Sequence, residues 1–168
     1  MDDQTTWANA VAAASRLYAD LAVGTRAELD ALIDRIMRLK EELLERTISA
    51  DSASICRSCG GQCCLNGKYH FSLLDLLAYR KAAVEPVVPN FAASPACPYA
   101  GEAGCLMAPG FRPMTCVVFN CGLIEDRMTP AELTELYACE RMLRRAIADA
   151  GQVVGQRLDR ALLLSIGS

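Results

Sequence analysis

The sequence contains only one histidine, His70, among its 168 residues, and few aromatic residues. A single histidine leaves little material for a hydrolytic site in which a histidine base activates a nucleophile. The chain also has no GxGxxG and no GKS or GKT loop, so the common phosphate-cradling motifs are missing. From these absences we predict no catalytic residues of the familiar kinds.

Clustered positive charge is scarce as well. The net charge is -3, the pI is near 5.2, and no run of Lys and Arg is longer than two residues, as in Arg144-Arg145. Proteins that bind nucleic acid need a basic face that displaces counterions from phosphates. We therefore do not expect nucleic acid as a partner.

Long apolar runs are missing too. Wholly apolar runs such as Ala161 to Leu164 fall far below the roughly 18 residues needed to cross a bilayer. The N-terminus begins Met1-Asp2-Asp3, which is acidic where a secretory signal is basic. We expect a cytoplasmic protein with no membrane partner. In that reducing compartment, clustered cysteines more often bind metal or carry out redox chemistry than form structural disulfides.

Cysteine is what the sequence has in abundance. Nine are present, and eight of them lie between positions 56 and 121. Thiolates are soft anionic ligands that suit Zn²⁺ or an iron–sulfur cluster. We predict a metal centre with the ligands Cys56, Cys59, Cys63, Cys64, Cys97, Cys105, Cys116 and Cys121.

The spacing of the first cysteines predicts a tight turn. Two thiolates separated as in Cys56-x2-Cys59 can converge on one ion, and the following Gly60 and Gly61 accept a positive φ and leave backbone N–H groups for sulfur. Adjacent side chains tend to diverge. Either Cys63 and Cys64 therefore bind two separate centres, or one of them is a ligand and the other packs in the protein or bridges a multinuclear cluster. The number of centres, one or two, stays open.

Two further residues could belong to this chemistry. His70 lies six residues after Cys64, within reach of a metal, but the thiols are already sufficient in number without it. Cys139 lies outside the cluster on the apolar face of a predicted helix. We expect it to be a core cysteine that acts as a small hydrophobic residue.

Helical patterns precede the cysteines. The first helix is expected from about Thr5 to Val23, and Thr25 with Glu28 form a capping box for a second helix that ends near Arg46. The second helix carries an apolar seam, which fits the chain's own core better than a dimer contact. This seam consists of Leu29, Leu32, Ile36, Leu39 and Leu43.

Helical patterns also lie within and after the cysteine region. A capping box of Ser72 and Asp75 begins a helix to about Ala83, and Thr129-Pro130-x-Glu132 begins a C-terminal helix, with a further helix to Leu164. We predict one mostly α domain over 1–168. Its parts are an N-terminal helical pair (1–50), an irregular cysteine-rich region (56–121) and C-terminal helices (129–166).

The cysteine motifs resemble those of a known family. Cys56-x2-Cys59-x3-Cys63-Cys64, Cys97-Pro98, Gly104-Cys105 and Arg112-Pro113-x2-Cys116-x4-Cys121 are similar in order and kind to the YkgJ-type CxxCxxCC family of zinc- or iron-chelating proteins. One departure is the third residue between Cys59 and Cys63, where the family name implies two. The resemblance implies a cysteine-bound metal.

Three functions follow as hypotheses. The first is an iron–sulfur protein, with a 4Fe–4S cluster, in electron transfer, redox or metal sensing, or cluster handling. The second is a structural zinc module in an interaction protein. The third is an enzyme, either a thiol redox protein or one resembling bacterial flagellin lysine methylases, which carry a similar cysteine module and are implied to use S-adenosylmethionine. The expected partner is a protein or redox partner, with a homodimer through the N-terminal helices as one option.

Overall fold

Two long helices begin the chain in the computed structural model, which describes residues 2–59, 62–102 and 104–164, apart from the side chains of Cys63 and Leu164. Helix α1 spans Asp3–Asp20 and helix α2 spans Val23–Ser49. The side chain of Asp2 caps α1 by accepting a hydrogen bond from the backbone N–H of Thr5 at 2.7 Å. The predicted N-terminal helical pair is therefore confirmed.

The junction between α1 and α2 differs from the prediction. The prediction that Thr25 and Glu28 form a capping box at the start of the second helix is wrong, because α2 begins at Val23 and both residues lie inside it. No side chain caps this start. The guanidinium of Arg26 instead donates to two backbone carbonyls at the end of α1, at 2.7 and 3.1 Å. These bonds satisfy acceptors that a helix end leaves unpaired.

Short elements follow, and then one long helix. The short elements are α3 (Ser52–Cys59), a 3₁₀ helix (Gln62–Tyr69), α4 (Leu73–Lys81), the antiparallel pair β1 (Ala100–Gly101) and β2 (Gly104–Cys105), α5 (Met114–Val118) and α6 (Gly122–Glu125). The long helix is α7 (Pro130–Val154), and further 3₁₀ turns lie at Phe91–Ala93, Pro109–Phe111 and Leu162–Leu164. The mostly α fold is confirmed. The sequence patterns missed α3, α5 and α6 because they are too short to display a helical period.

Both other predicted capping boxes are confirmed. Ser72 and Asp75 cap α4, and Thr129 and Glu132 cap α7. In each pair, the side chain of each residue accepts a hydrogen bond from the backbone N–H of the other. The carboxylate of Glu132 accepts from the N–H of Thr129 at 2.7 Å. Such a box satisfies two of the donors that a helix start leaves unpaired.

The chain after α7 is not the further helix that we predicted to Leu164. Gly155 ends α7 with a φ of 76°, in the left-handed region that glycine adopts without strain. The chain then turns back towards the start of α4. There the carbonyl of Leu158 accepts from the N–H of Leu74 at 2.9 Å, and Ala161 forms an isolated bridge with Ser72.

The main core lies where α2 packs along α7, with α4 against them. Most of the predicted seam is buried there, although Leu32 is only partly covered and Ile33 is buried in its place. The prediction of a seam on the chain's own core is confirmed. Cys139 is buried in this core, and its thiol lies 3.7 Å from the carbonyl oxygen of Leu39. Its prediction as a core cysteine is also confirmed.

A second, aromatic core connects α1 and α4 to the cysteine region. Trp7 packs edge-on against Phe71 with ring centroids 4.8 Å apart, and Phe71 stacks on Tyr99 at 5.4 Å. All three rings are buried. Tyr99 lies between Cys97 and β1, so this core supports the cysteine-bearing loops from beneath. Within the described residues, no helix has the length and hydropathy to cross a membrane.

Candidate metal centre

Four cysteines from four separate segments interact electrostatically, because Cys64, Cys97 and Cys105 each act on the thiol of Cys116. Cys64 is in the 3₁₀ helix Gln62–Tyr69, Cys97 is in the loop before β1, Cys105 is in β2, and Cys116 is in α5. They are far apart in the sequence, so only the tertiary fold places them together. We call Cys64, Cys97, Cys105 and Cys116 the Cys116 group.

Cys116 lies at the electrostatic centre of this group. It keeps a solvent-accessible side, yet enough protein surrounds its sulfur that burial is the largest cause of the raised pKa of its thiol. The charges of Asp75, Cys97, Cys105 and Cys64 raise the pKa further. These groups are negative when ionised, and the charge of Asp75 is paired with the buried ammonium of Lys40.

Burial also raises the pKa of the Cys97 thiol, with repulsion from Cys105 as a further cause and backbone hydrogen bonds from Tyr99 and Ala100 opposing it. A cysteine that acts as a nucleophile has a lowered pKa. The raised pKa values of Cys97 and Cys116 are therefore unlike those of a reactive thiol. They suit thiols that give up their protons when a metal binds.

Gly67 allows the 3₁₀ helix to lie directly against Cys97. A Cβ atom at Gly67 would stand 2.4 Å from Sγ of Cys97 and 3.1 Å from its Cβ. The first distance is shorter than real Cβ contacts, so any side chain at this position would require Cys97 or the 3₁₀ helix to move. The close approach brings the segment that carries Cys64 next to the loop that carries Cys97.

The side chain of His70 contacts the sulfur of Cys116. Its Nδ1 lies 3.3 Å from Sγ of Cys116. The imidazole is half-buried, and this burial lowers its pKa from the ordinary value of 6.5, which favours the neutral ring. The structure thus places His70 in the Cys116 group, although the sequence pattern alone did not require it.

A buried ion pair lies beneath the group. Nζ of Lys40 in α2 is 2.8 Å from Oδ1 of Asp75 in α4, and Oδ2 of Asp75 accepts from the N–H and the hydroxyl of Ser72. A cavity of about 20 Å³, large enough for one water molecule, is lined by these three residues together with His70 and Thr115. The pair therefore joins α2 and α4 directly under the predicted centre.

The other predicted ligands lie elsewhere. Cys56 and Cys59 are on α3, which packs against α6, and Cys121 is the N-cap residue of α6. The predicted tight turn at Cys56-x2-Cys59 is wrong, because both residues lie in a helix, where the spacing of three still places them on one face. Gly60, Gly61 and the side chain of Cys63 lie outside the described part of the chain.

The aromatic residues near the cysteines divide into two sets. Phe71 and Tyr99 are buried in the aromatic core, as an apolar surround for the centre would require. Tyr69 and Phe119 are exposed by 41% and 57%, and Leu65 and Leu106, each next to a cysteine, are exposed as well. The aromatic core and the buried Lys40–Asp75 pair thus both lie on the protein side of the group, and its outer rim faces solvent.

The side chains that the structure describes do not already form a complete metal site: no three His, Cys, Asp or Glu donors among them are arranged to hold an ion. The chemistry of the Cys116 group nevertheless fits a thiolate-bound metal, because several thiols and an imidazole gather where the surrounding charge is negative. Metal binding would require side-chain rotations that direct the sulfur atoms toward a single ion.

Two residues that shape the candidate site, Lys40 and Gly67, were not predicted from the sequence. Lys40 interrupts the apolar seam of α2, and a charged residue on a buried face is a signal for a buried partner. Gly67 follows Asn66, a pair typical of turns, but a turn signal does not reveal the packing on Cys97.

No family model matches the chain, and no curated protein or solved structure matches it either. The resemblance to the YkgJ-type family therefore stays a prediction that rests on the cysteine motifs.

Proposed function

We propose that this protein holds a metal centre through cysteine thiolates, and that the centre is an iron–sulfur cluster of the 4Fe–4S type. The observation that carries the proposal is that Cys64, Cys97 and Cys105, from three separate segments, each raise the pKa of the Cys116 thiol, whose sulfur lies 3.3 Å from Nδ1 of His70. Four thiolates are the usual ligand set of such a cluster.

The surroundings suit thiols that stay protonated until a metal binds them. The raised pKa values of Cys97 and Cys116 mean that ionising these thiols is unfavourable until a cation is present. The aromatic core beneath gives the protein side of the group a low dielectric, which is one of the factors that set a cluster's potential. A cluster held there would accept and release single electrons.

From this chemistry we propose a role in electron transfer, redox or metal sensing, or cluster handling, in the cytoplasm. The YkgJ-type resemblance supports metal binding in general. A protein or redox partner would have to approach the solvent-facing rim, where Leu65, Leu106 and Phe119 offer apolar contacts. A homodimer through the N-terminal helices remains a prediction, but its contact would have to avoid the seam of α2, which is buried against α7.

A structural zinc site is the second candidate, because His70 supplies an imidazole next to Cys116. Imidazole and thiolate together are a common ligand set for zinc. In this case the metal would hold the loops of the cysteine region together, since binding energy at such a site is folding energy. The exposed rim would then serve a protein contact without electron transfer.

Purification without oxygen, followed by elemental analysis and an absorbance spectrum, tests both candidates. An iron–sulfur protein should be brown, absorb near ~400 nm and contain iron and acid-labile sulfide. A colourless protein with stoichiometric zinc would replace the first candidate by the second. A chain that retains neither metal, even after anaerobic reconstitution with iron and sulfide or with zinc, would refute the proposal.

A further inference from the structure

We propose that His70 is itself a ligand of the metal centre and binds through Nδ1 to the same ion as Cys116. This inference rests on the second candidate of the proposed function, a single zinc ion, because each iron of a 4Fe–4S cluster takes only one protein ligand. Nδ1 of His70 lies 3.3 Å from Sγ of Cys116. When a nitrogen at about 2.0 Å and a sulfur at about 2.3 Å bind one tetrahedral zinc ion, they stand about 3.5 Å apart. The observed separation is close to that of two ligands on one ion.

The path of the chain holds His70 in this place. Its backbone N–H donates to the carbonyl of Gly67 at 3.2 Å, in the 3₁₀ helix that carries Cys64. Gly67 in turn packs directly on Cys97. The segment from the 3₁₀ helix to His70 therefore carries Cys64, contacts Cys97 through Gly67, and places the imidazole against Cys116. Donors from one rigid segment converge on a common point with little loss of conformational freedom.

The charge of the site also favours an imidazole ligand. Asp75 and the other thiols of the group act on Cys116, and the ammonium of Lys40 offsets only the charge of Asp75. Three thiolates and one neutral imidazole carry one negative charge fewer than four thiolates. A ligand set with less negative charge costs less Coulomb energy beside a buried carboxylate. With His70 as a ligand, one cysteine of the group is left to bind a second ion or to remain a thiol.

In the alternative role, His70 does not bind the metal, and its Nδ1–H donates a hydrogen bond to the thiolate of Cys116. The two roles differ in what Nδ1 carries, a metal or a proton. Because His70 is the only histidine of the chain, ¹⁵N-histidine labels this side chain alone in a protein without a histidine tag. Cadmium-113 is a suitable probe ion, because it has a nuclear spin and binds both thiolate and imidazole ligands.

The experiment loads the labelled full-length chain with ¹¹³Cd²⁺ and records the ¹⁵N spectrum. A ligand role predicts a ¹⁵N–¹¹³Cd splitting of the Nδ1 resonance. If the chain binds cadmium stoichiometrically and Nδ1 stays protonated and unsplit, the ligand role is overturned while the thiolate centre stands. If the chain retains no cadmium, the single-ion thiolate site fails and His70 has no ion to bind, whereas the iron–sulfur candidate is decided by its own reconstitution with iron and sulfide.

His70→Asn is the matched variant, because the amide of asparagine can donate a hydrogen bond to sulfur but is a poor ligand for a soft metal. The ligand role predicts that cadmium affinity falls at least about tenfold in this variant, while His70→Cys, which supplies another ligand, retains the affinity. Unchanged affinity in His70→Asn would overturn the ligand role. Circular dichroism before loading verifies that each variant is folded.

Discussion

Nζ of Lys40 and Oδ1 of Asp75 lie 2.8 Å apart, and only 1% and 2% of their side chains are exposed. Truncating one partner of such a pair leaves an uncompensated buried charge, at a cost of about 3–5 kcal/mol. We therefore expect Lys40→Met to lower the free energy of unfolding by about this amount. Urea unfolding monitored by circular dichroism measures the change.

Two comparisons test this explanation. Lys40→Met combined with Asp75→Asn leaves no buried charge at the pair and keeps a capping side chain, so it should recover much of the loss. Arg157→Gln removes the exposed pair with Asp159 and should cost less than about 1 kcal/mol. A loss in Lys40→Met no larger than that in Arg157→Gln would contradict the buried-charge explanation.

The packing of Gly67 on Cys97 leads to a second prediction. The new methyl of Gly67→Ala would stand 2.4 Å from Sγ of Cys97, so the 3₁₀ helix or the loop of Cys97 must move. Overpacking of this kind costs about 1–3 kcal/mol, which corresponds to about a fivefold to 150-fold loss if it falls on metal affinity. Competition with a chelator measures the affinity.

Gly24→Ala is the control for Gly67→Ala, because a Cβ at Gly24 meets nothing within 4 Å and the residue lies in the first turn of α2. It should leave metal affinity unchanged and stabilise the helix by up to about 1 kcal/mol. Equal metal affinity in the Gly67→Ala protein and the unmodified protein would rule out this close contact as a part of the centre.

The long helices and two of their starts could be predicted from the sequence because their causes are local. The capping boxes at Ser72 and Thr129 consist of residues three positions apart, and the seam of α2 repeats at a helical spacing. The start of α2 could not be predicted in this way. It depends on Arg26 reaching back to the end of α1, which only the geometry of the hairpin allows.

The candidate site illustrates the same difference. That cysteines would be the ligands follows from their chemistry, but their grouping depends on how the chain folds between positions 64 and 116. Nothing in the spacing of His70 and Cys116, which are 46 positions apart, predicts their contact. The helical setting of Cys56 and Cys59 was missed because eight residues of α3 are too few for a periodic pattern.

The raised pKa of Cys116 predicts a pH dependence for the metal-free protein. Folding raises this pKa above its ordinary value of 9.0, so the protonated thiol contributes stability below pH 9.0 that is lost as the pH rises through the folded pKa. We expect the free energy of unfolding to fall above pH 9.0, by about 1.4 kcal/mol per pH unit for each thiol that stays protonated only in the folded state. Urea unfolding without metal measures this slope.

Cys116→Ala tests the assignment, because it removes the titrating group and should make the fall above pH 9.0 less steep. Tyr79 titrates with a raised pKa too, but its ordinary value of 10.0 places its effect at higher pH. A slope between pH 9.0 and 10.0 that is identical with and without the Cys116 thiol would refute the prediction.

Cys59→Ala addresses the number of centres. Cys59 lies with Cys56 on α3, which packs against α6. If α3 and α6 contribute a second site, Cys59→Ala should lower the metal content of the chain while the spectrum of the Cys116 site persists. If all thiols serve one centre, the same variant should abolish that spectrum. Metal analysis and absorbance of the purified variant distinguish the two outcomes.

Cys116 and Cys139 offer the sharpest contrast between a ligand and a core cysteine. Cys139 is buried in the main core, with its sulfur 3.7 Å from the carbonyl of Leu39, so Cys139→Ala should cost about 1 kcal/mol of stability and leave the metal content unchanged. Cys116→Ala should remove metal from the Cys116 group, because the thiol at its centre is lost. Elemental analysis gives metal per chain, and urea unfolding gives stability. If Cys139→Ala loses metal while Cys116→Ala retains it, the centre does not lie where we place it.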